Sequence, residues 1–374
     1  MKVAFFITPS FFRTANRTNP YFDPIIEVCT ANGIEWDVWI PHSRVKHGYP
    51  PDRVRSYRAL DRGSVWFWRV VHCLWRAPAW KINLTFGRLV RKLHLPLFRD
   101  EYEVVITSAG LLADVLGGLL PHRRVVDVQH GVIYSGHQGY FDGKGLLLEL
   151  HRKLRNREYW VYGPGFADCF FRNPDNRQYL GDRVKVLGAV HGAVQPTALT
   201  ARIRKTVAIA AQFTRDFSPT TLAQMKKLYE DFLDANVELR DEVKFIFRQH
   251  PRYYGCIDLS DWRDRYPWLV MDDKRPWGDV FAEAVAIVTI HSTSAFDAAA
   301  YGVPTVFLDE TRLGWPNVMK GDLGYPCPDL TLKGMLTMDE DGRRNIDAAV
   351  LKWYNDYYKP FSAANCLALL KKEC

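Results

Sequence analysis

The chain has 374 residues, enough for two domains of average size, and 25% charged with 47% hydrophobic residues is the balance of a folded globular protein. The formal net charge is +8, and no stretch approaches twenty uncharged apolar residues, so no transmembrane helix is expected. Seven cysteines, scattered and without CxxC spacing, exclude a disulfide framework and a zinc site and point to reduced thiols in a cytoplasmic setting. The apolar run Val3 to Ile7 is too short for a signal peptide, and Arg13 and Arg17 follow it closely. Residues 2–8 therefore read as a strand. Residues 19–32 read as a helix that starts near Pro20 and ends at Gly33, and 34–40 (IEWDVWI) as a second strand. This βαβ opening supports a doubly wound sheet. Residues 41–64, with Pro50-Pro51, read as a long polar connection.

The charge is unevenly placed. Residues 62–99 hold Arg62, Arg69, Arg76, Lys81, Arg88, Arg91, Lys92 and Arg99 and no carboxylate. Trp66, Trp68, Trp75 and Trp80 fall in the same stretch. Cations interleaved with Trp, Phe and Leu suit a helix lying in a membrane interface. The same pattern suits a packing segment whose arginines snorkel to water. No nucleic-acid motif accompanies it, so nucleic acid is not expected as a partner.

Further on, 103–107 reads as a strand, followed by a helix through Leu120, and 124–128 as a strand ending on Gln129-His130-Gly131. Residues 146–157 read as a helix, 158–162 as a strand before Gly163-Pro164-Gly165, and 184–187 as the last strand of this half. Residues 188–205 are rich in Gly, Ala, Pro and Thr and mark a boundary. Strands are then expected at 206–211, 243–248, 268–271, 287–290 and 305–308, a helix at 219–237, and terminal helices at 345–358 and 362–372. The fold class is α/β: two doubly wound Rossmann-like domains, 1–195 and 200–345, facing each other across a cleft, with helices in 346–374 returning to the first.

In open parallel sheets ligands bind beyond the carboxyl ends of the strands. Two expected strands of the second half end there on small polar clusters. One gives Arg248, then His250-Pro251; the other gives His291, then Ser292-Thr293-Ser294 at the start of a helix, with Asp297 one turn in. Hydroxyls and free N–H groups at a helix start suit phosphate, and Asp297 can reach a ribose diol. A plain N-cap would use the same residues. Arg215, after the strand at 206–211, is another phosphate candidate. In the first half His130 ends a strand, and an imidazole titrating near neutrality suits a general base. His137 and Asp142 in the following loop are acceptor candidates, and Thr8, Pro9 and Ser10 after the first strand are candidates to touch acceptor or donor.

These segments resemble bacterial GT-B enzymes that build surface polysaccharides and wall polymers. Ser292 to Asp297 with Pro304 is similar to the Ser-Ser-x-x-x-Asp segment of CDP-glycerol glycerophosphotransferases, and Gln129-His130-Gly131 to their His-Gly motif. His250-Pro251 with Ser292-Thr293 resembles the His-Pro and Ser-Ser/Thr pair of bacterial sialyltransferases and capsule Kdo transferases. The resemblance covers roughly 120–135 and 240–310. It implies a glycosyltransferase using a nucleotide-sugar donor, with a CMP-sugar favoured, and a polysaccharide or lipid-linked acceptor, as in capsule or lipopolysaccharide synthesis. His130 would be the catalytic base. His250, Pro251, Ser292, Thr293, Ser294, Asp297, Arg248 and Arg215 would hold the nucleotide, with neither metal nor cofactor. Location would be peripheral, on the inner face of the cytoplasmic membrane. The alternatives are a CDP-glycerol or CDP-ribitol phosphotransferase and a nucleotide-sugar 2-epimerase of the same fold.

Overall fold

The computed structural model describes all residues except 8–15, 42–45, 76–78, 96–100, 109–110, 191–203, 216, 251–254, 272, 291, 309–317 and 373–374, and only the backbone at 61, 72–75, 79–80 and 111–112. The chain forms two compact units, Met1–His191 with Tyr358–Cys374, and Gly192–Tyr357.

The first unit is built on seven parallel strands: β1 (Lys2–Phe6), β2 (Glu35–Ile40), β3 (Val54–Ser56), β4 (Val104–Thr107), β5 (Arg124–Val128), β6 (Arg157–Val161) and β7 (Val184–Val186). Their order is β3-β2-β1-β4-β5-β6-β7, the doubly wound arrangement, and it reverses direction between β1 and β4. The central strands read as continuous apolar runs because helices cover both faces, and Val3–Ile7, Val104–Ile106 and Val125–Val126 are all buried. The helices are α1 (Asp23–Ala31), α2 (Arg58–Trp75), α3 (Ala79–Lys92), α4 (Leu111–Leu119), α5 (Glu149–Lys153), α6 (Pro164–Phe171) and α7 (Arg177–Leu180).

Two expectations are corrected here. Residues 41–64 are not simply a connection: they carry edge strand β3, and α2 already starts at Arg58. The helix expected over 146–157 is only the single turn of α5. It stops because Asn156 turns back, its side-chain amide donating to Leu120 O (2.8 Å) and Arg123 O (3.0 Å). Gly163-Pro164-Gly165, after β6, opens α6, with Pro164 in the first helical turn, where its missing N–H costs nothing.

Most of the described residues in 62–99 fall in two amphipathic helices, α2 and α3. Leu60 of α2 and Phe86 and Val90 of α3 join a core with Val115, Leu116 and Leu119 of α4. Two glycines allow α3 and α4 to approach backbone to backbone. A Cβ on Gly87 would run into Val115 O, and one on Gly118 into Leu84 O. The outer face carries Arg62, Arg69, Arg88, Arg91 and Lys92, all exposed, and Trp66 is 67% exposed. Packing and a basic aromatic surface are thus two faces of one segment. Among the described residues no helix is long and apolar enough to cross a membrane.

The second unit holds five parallel strands, β8 (Thr206–Ala211), β9 (Lys244–Gln249), β10 (Val270–Met271), β11 (Ala284–Thr289) and β12 (Thr305–Phe307), in the order β10-β9-β8-β11-β12. Its helices are α8 (Pro219–Ala235), α9 (Trp262–Arg265), α10 (Trp277–Glu283), α11 (Ser294–Ala299), α12 (Leu332–Thr337) and α13 (Glu340–Tyr357). The order again reverses at the first strand, between β8 and β11. Gly302 ends α11 at φ 66°, and Val303 N donates to Ala298 O (3.0 Å), a glycine-terminated helix that turns straight into β12.

The two terminal helices part company. Within the second unit, α13 stacks Trp353 on Phe296 of α11 at 4.5 Å between ring centroids. The last helix, α14 (Ala363–Lys371), belongs to the first unit. Buried Arg124 holds it there, donating to Leu369 O (2.8 Å), Leu370 O (2.9 Å) and Lys372 O (3.0 Å) while gripping Glu158 at 2.7 and 2.9 Å.

Candidate nucleotide site and candidate catalytic histidine

In the second unit the switch point lies between β8 and β11. Strands that diverge lose ladder partners for their last peptide groups, and buried peptide groups need replacements. Thr289, fully buried, supplies one: its hydroxyl donates to Ala210 O (2.8 Å) and accepts from Ser292 N (3.0 Å). Tyr229 supplies another, donating to Ala210 O (3.2 Å) and accepting from Ile290 N (3.4 Å). These two residues set the geometry of the crevice, and sequence reasoning passed over both. Each reads there as ordinary core, and only the fold brings them to the strand ends.

Around this crevice stand most of the expected nucleotide ligands. His250 follows β9 directly and is exposed; its N–H donates to Ala211 O (2.9 Å). Arg215 is exposed after β8. Ser292 is buried, and its hydroxyl accepts from Ser294 N (3.2 Å) and donates to the Ser294 hydroxyl (3.1 Å), so it works first as a local cap. Thr293 is exposed and Ser294 half-buried at the start of α11. Asp297 lies one turn in, half-buried, and burial raises its pKa to about 6. Arg248 is held differently. It pairs with Asp273 (3.1 Å), bonds Arg275 O and lies over the Trp277 ring at 4.5 Å. Its charge is largely met within the protein. Pro251, Arg252 and His291 lie outside the described residues.

In the first unit His130 is half-buried just beyond β5. The preceding Gln129 is buried and bonded at both ends of its amide. Its amide donates to Gly131 O (2.7 Å), and its carbonyl accepts from Tyr162 N (2.8 Å), tying the ends of β5 and β6 together. Gly131 has open space where a side chain would stand. Beneath the turn Asp127 receives Arg157 at 2.6 Å, with Asp114 at 3.6 Å from the same guanidinium. Burial raises the Asp114 pKa to about 7, with Arg157 opposing and Asp127 reinforcing the shift. His151 lies between Tyr159 OH (2.7 Å) and Gly139 O (2.8 Å). Burial lowers its pKa to about 3, and Arg157 adds to the effect, so it is neutral and structural. Asp142 is a loop staple, accepting from Lys144 N (2.8 Å) and Leu146 N (3.0 Å). His137 packs between Tyr134 and Tyr140, and burial lowers its pKa. Thr8, Pro9 and Ser10 lie outside the described residues.

The acidic run Asp339-Glu340-Asp341-Gly342 serves the start of α13. Asp339 accepts from Gly342 N (2.8 Å), and Glu340 pairs with Arg344 one turn on (2.5 Å).

No protein-family model matches this chain, and no curated protein matches it. Solved structures do match along its length. A structure titled trehalose-6-phosphate from E. coli bound with UDP-2-fluoro glucose is similar at 14% identity and TM-score 0.53, covering 100% of both chains. CalG4, the calicheamicin glycosyltransferase, is similar at 13% identity and TM-score 0.50, with 99% of this chain and 97% of that one covered. An S. aureus MnaA–UDP structure is similar at 10% identity and TM-score 0.50, with 99% and 94% covered. At such identities the likeness is one of fold. The chain is α/β, with the two doubly wound units found in GT-B glycosyltransferases.

Proposed function

We propose that this chain is a GT-B glycosyltransferase. It moves a sugar from a nucleotide-activated donor, a CMP-sugar favoured, to a hydroxyl of a membrane-associated surface polysaccharide or lipid-linked acceptor. One observation carries the reading. His250, Arg215 and the Ser292–Ser294 cluster gather beyond the carboxyl ends of β9, β8 and β11, at the switch point of the second sheet. Of these, His250, Arg215 and Thr293 are exposed donors that suit a nucleotide phosphate, and they stabilise the charge that grows on it as the sugar departs. The half-buried carboxylate of Asp297 is the group for the ribose hydroxyls. In the first unit His130 takes the proton from the acceptor hydroxyl, with Gln129 setting the turn on which it sits. The exposed basic and aromatic face of 62–99 supports a place on the inner surface of the cytoplasmic membrane.

A thermal-shift screen with CMP, CDP, UDP, GDP and dTDP tests the reading. Cytidine nucleotides should stabilise the protein, by about 2.7 kcal/mol at a hundredfold excess over Kd. His250→Ala should remove the shift and leave the unliganded Tm unchanged, since its side chain is exposed. Stabilisation by UDP or GDP but not by CMP or CDP would reject the cytidine assignment, and no stabilisation by any of the five would reject the nucleotide site. A CDP-glycerol or CDP-ribitol transferase would share this cytidine preference and is separated by which donor is consumed.

A further inference from the structure

A second polar cluster lies in the first unit, at the opposite end of the strands from His130. A cavity of about 630 Å3 opens between the end of α3, the end of α4 and residues 153–156, within the usual range for ligand pockets of roughly 300–1,000 Å3. Its walls carry Arg88, Arg91, Lys92, His94, Lys153 and Arg155, and among the described residues no carboxylate lines it. Its floor is backbone at Gly117 and Gly118. That floor is built rather than accidental. Asn156 ties the turn after α4 to the start of β6, and Leu154 packs where a Gly117 Cβ would stand, 2.8 Å from its Cδ2. Because α4 runs from β4 back to β5 and Asn156 immediately precedes β6, the cavity faces the amino ends of the strands.

The charge is not spent internally. Glu149 pairs with Lys153 at 2.5 Å. The carboxyl-terminal ends of α3 and α4 together carry roughly one negative charge. Against these stand five permanent cations, Arg88, Arg91, Lys92, Lys153 and Arg155. About three positive charges are left over, more than a helix end calls for. Beside them Leu89, Leu93 and Leu95 are 37%, 56% and 41% exposed. An anion seat bordered by exposed leucines matches a molecule that is phosphate at one end and hydrocarbon at the other.

We propose that this cavity seats the phosphate headgroup of an anionic membrane lipid, with Leu89, Leu93 and Leu95 entering the acyl boundary. The inference rests on the membrane-facing role proposed for 62–99 and is independent of the transfer reaction. A headgroup bound here leaves the carboxyl ends of the strands, and His130, open. The seat makes membrane attachment a matter of particular side chains, where a diffuse basic surface would depend only on total charge.

The test is flotation of the full chain with phosphatidylcholine vesicles, with and without phosphatidylglycerol, in the absence of donor and acceptor. The wild type should float only with the anionic vesicles, and inorganic phosphate should compete weakly. Changing Arg88, Arg91 and Arg155 together to Gln should lower the apparent affinity on the order of 100-fold, at about a fivefold loss per cation near an anionic surface. All three side chains are exposed, so the unliganded Tm should hold. Turnover on a short soluble acceptor should also hold. Loss of binding on changing Arg62, Trp66 and Arg69 but not the cavity arginines would overturn the seat and leave the membrane reading standing. Equal flotation with neutral vesicles would overturn the headgroup. Tight binding of inorganic phosphate without flotation would overturn the lipid source.

Discussion

At His130 the imidazole is followed by a glycine with open space around it and preceded by a glutamine whose amide is bonded at both its N–H2 and its carbonyl. His130→Ala should lower turnover by about 10²–10⁴, the usual worth of a general base, with nucleotide affinity unchanged. Turnover near the wild-type value would move the base elsewhere. Asp297 gives a pH signature. Its pKa is raised from 3.8 to about 6 by burial, so the folded protein holds a proton that the unfolded chain releases between those values. For this group stability rises as pH falls through about 6 toward 4. If the ionised carboxylate accepts the ribose hydroxyls, affinity runs the other way and weakens as pH falls through about 6. Cytidine, which carries no phosphate to titrate, should therefore bind less well at pH ~5.5 than at ~7.5, and Asp297→Asn should flatten the dependence. A flat profile in the unaltered protein would remove Asp297 from the site. The Ser292–Ser294 cluster, His250 and His130 could be read in the sequence because short polar runs at the ends of apolar strands stand out. Thr289, Tyr229 and Gln129 could not. Their work lies in bonds to residues as much as 79 positions away, and nothing local marks them.

At the scale of elements, the crossing of α3 and α4 depends on Gly87 and Gly118, each with the neighbouring helix's carbonyl where a Cβ would be. Gly118→Ala should force the helices apart and cost about 1–3 kcal/mol, the usual penalty of overpacking. Urea unfolding measures it, and Gly131→Ala, with open space around it, is the control. Equal midpoints for the two variants would show that the crossing yields without cost. The same region shows where sequence reading ends. The central strands of both sheets were readable because burial on two faces leaves uninterrupted Val, Ile, Ala and Phe. Edge strand β3 has three residues, two of them exposed, and carries no such run. Helix α2 hides its short apolar stripe among arginines and tryptophans. The glycines of the crossing look like flexible points until the partner helix is in place.

On the scale of the whole chain, the second unit is an insertion in the first: the chain leaves after β7 and α14 returns. The return is held by a buried cation, not by apolar contact alone. Arg124 spends its guanidinium on Glu158 and on three carbonyls at the end of α14, where a positive charge also meets the negative end of the helix dipole. Removing it strands a largely buried carboxylate and several helix-end carbonyls together. Breaking a buried pair costs about 3–5 kcal/mol, and Glu158, 14% exposed, recovers part of that by hydration, so Arg124→Met should cost about 2–4 kcal/mol. The loss should concentrate in one place. Amide protons of 363–371 should exchange far faster, while those of β8 and β11 in the second unit keep their protection. Unchanged protection across 363–371 would mean that the apolar contacts of Cys366 and Leu370, both buried, suffice to hold the helix without the arginine.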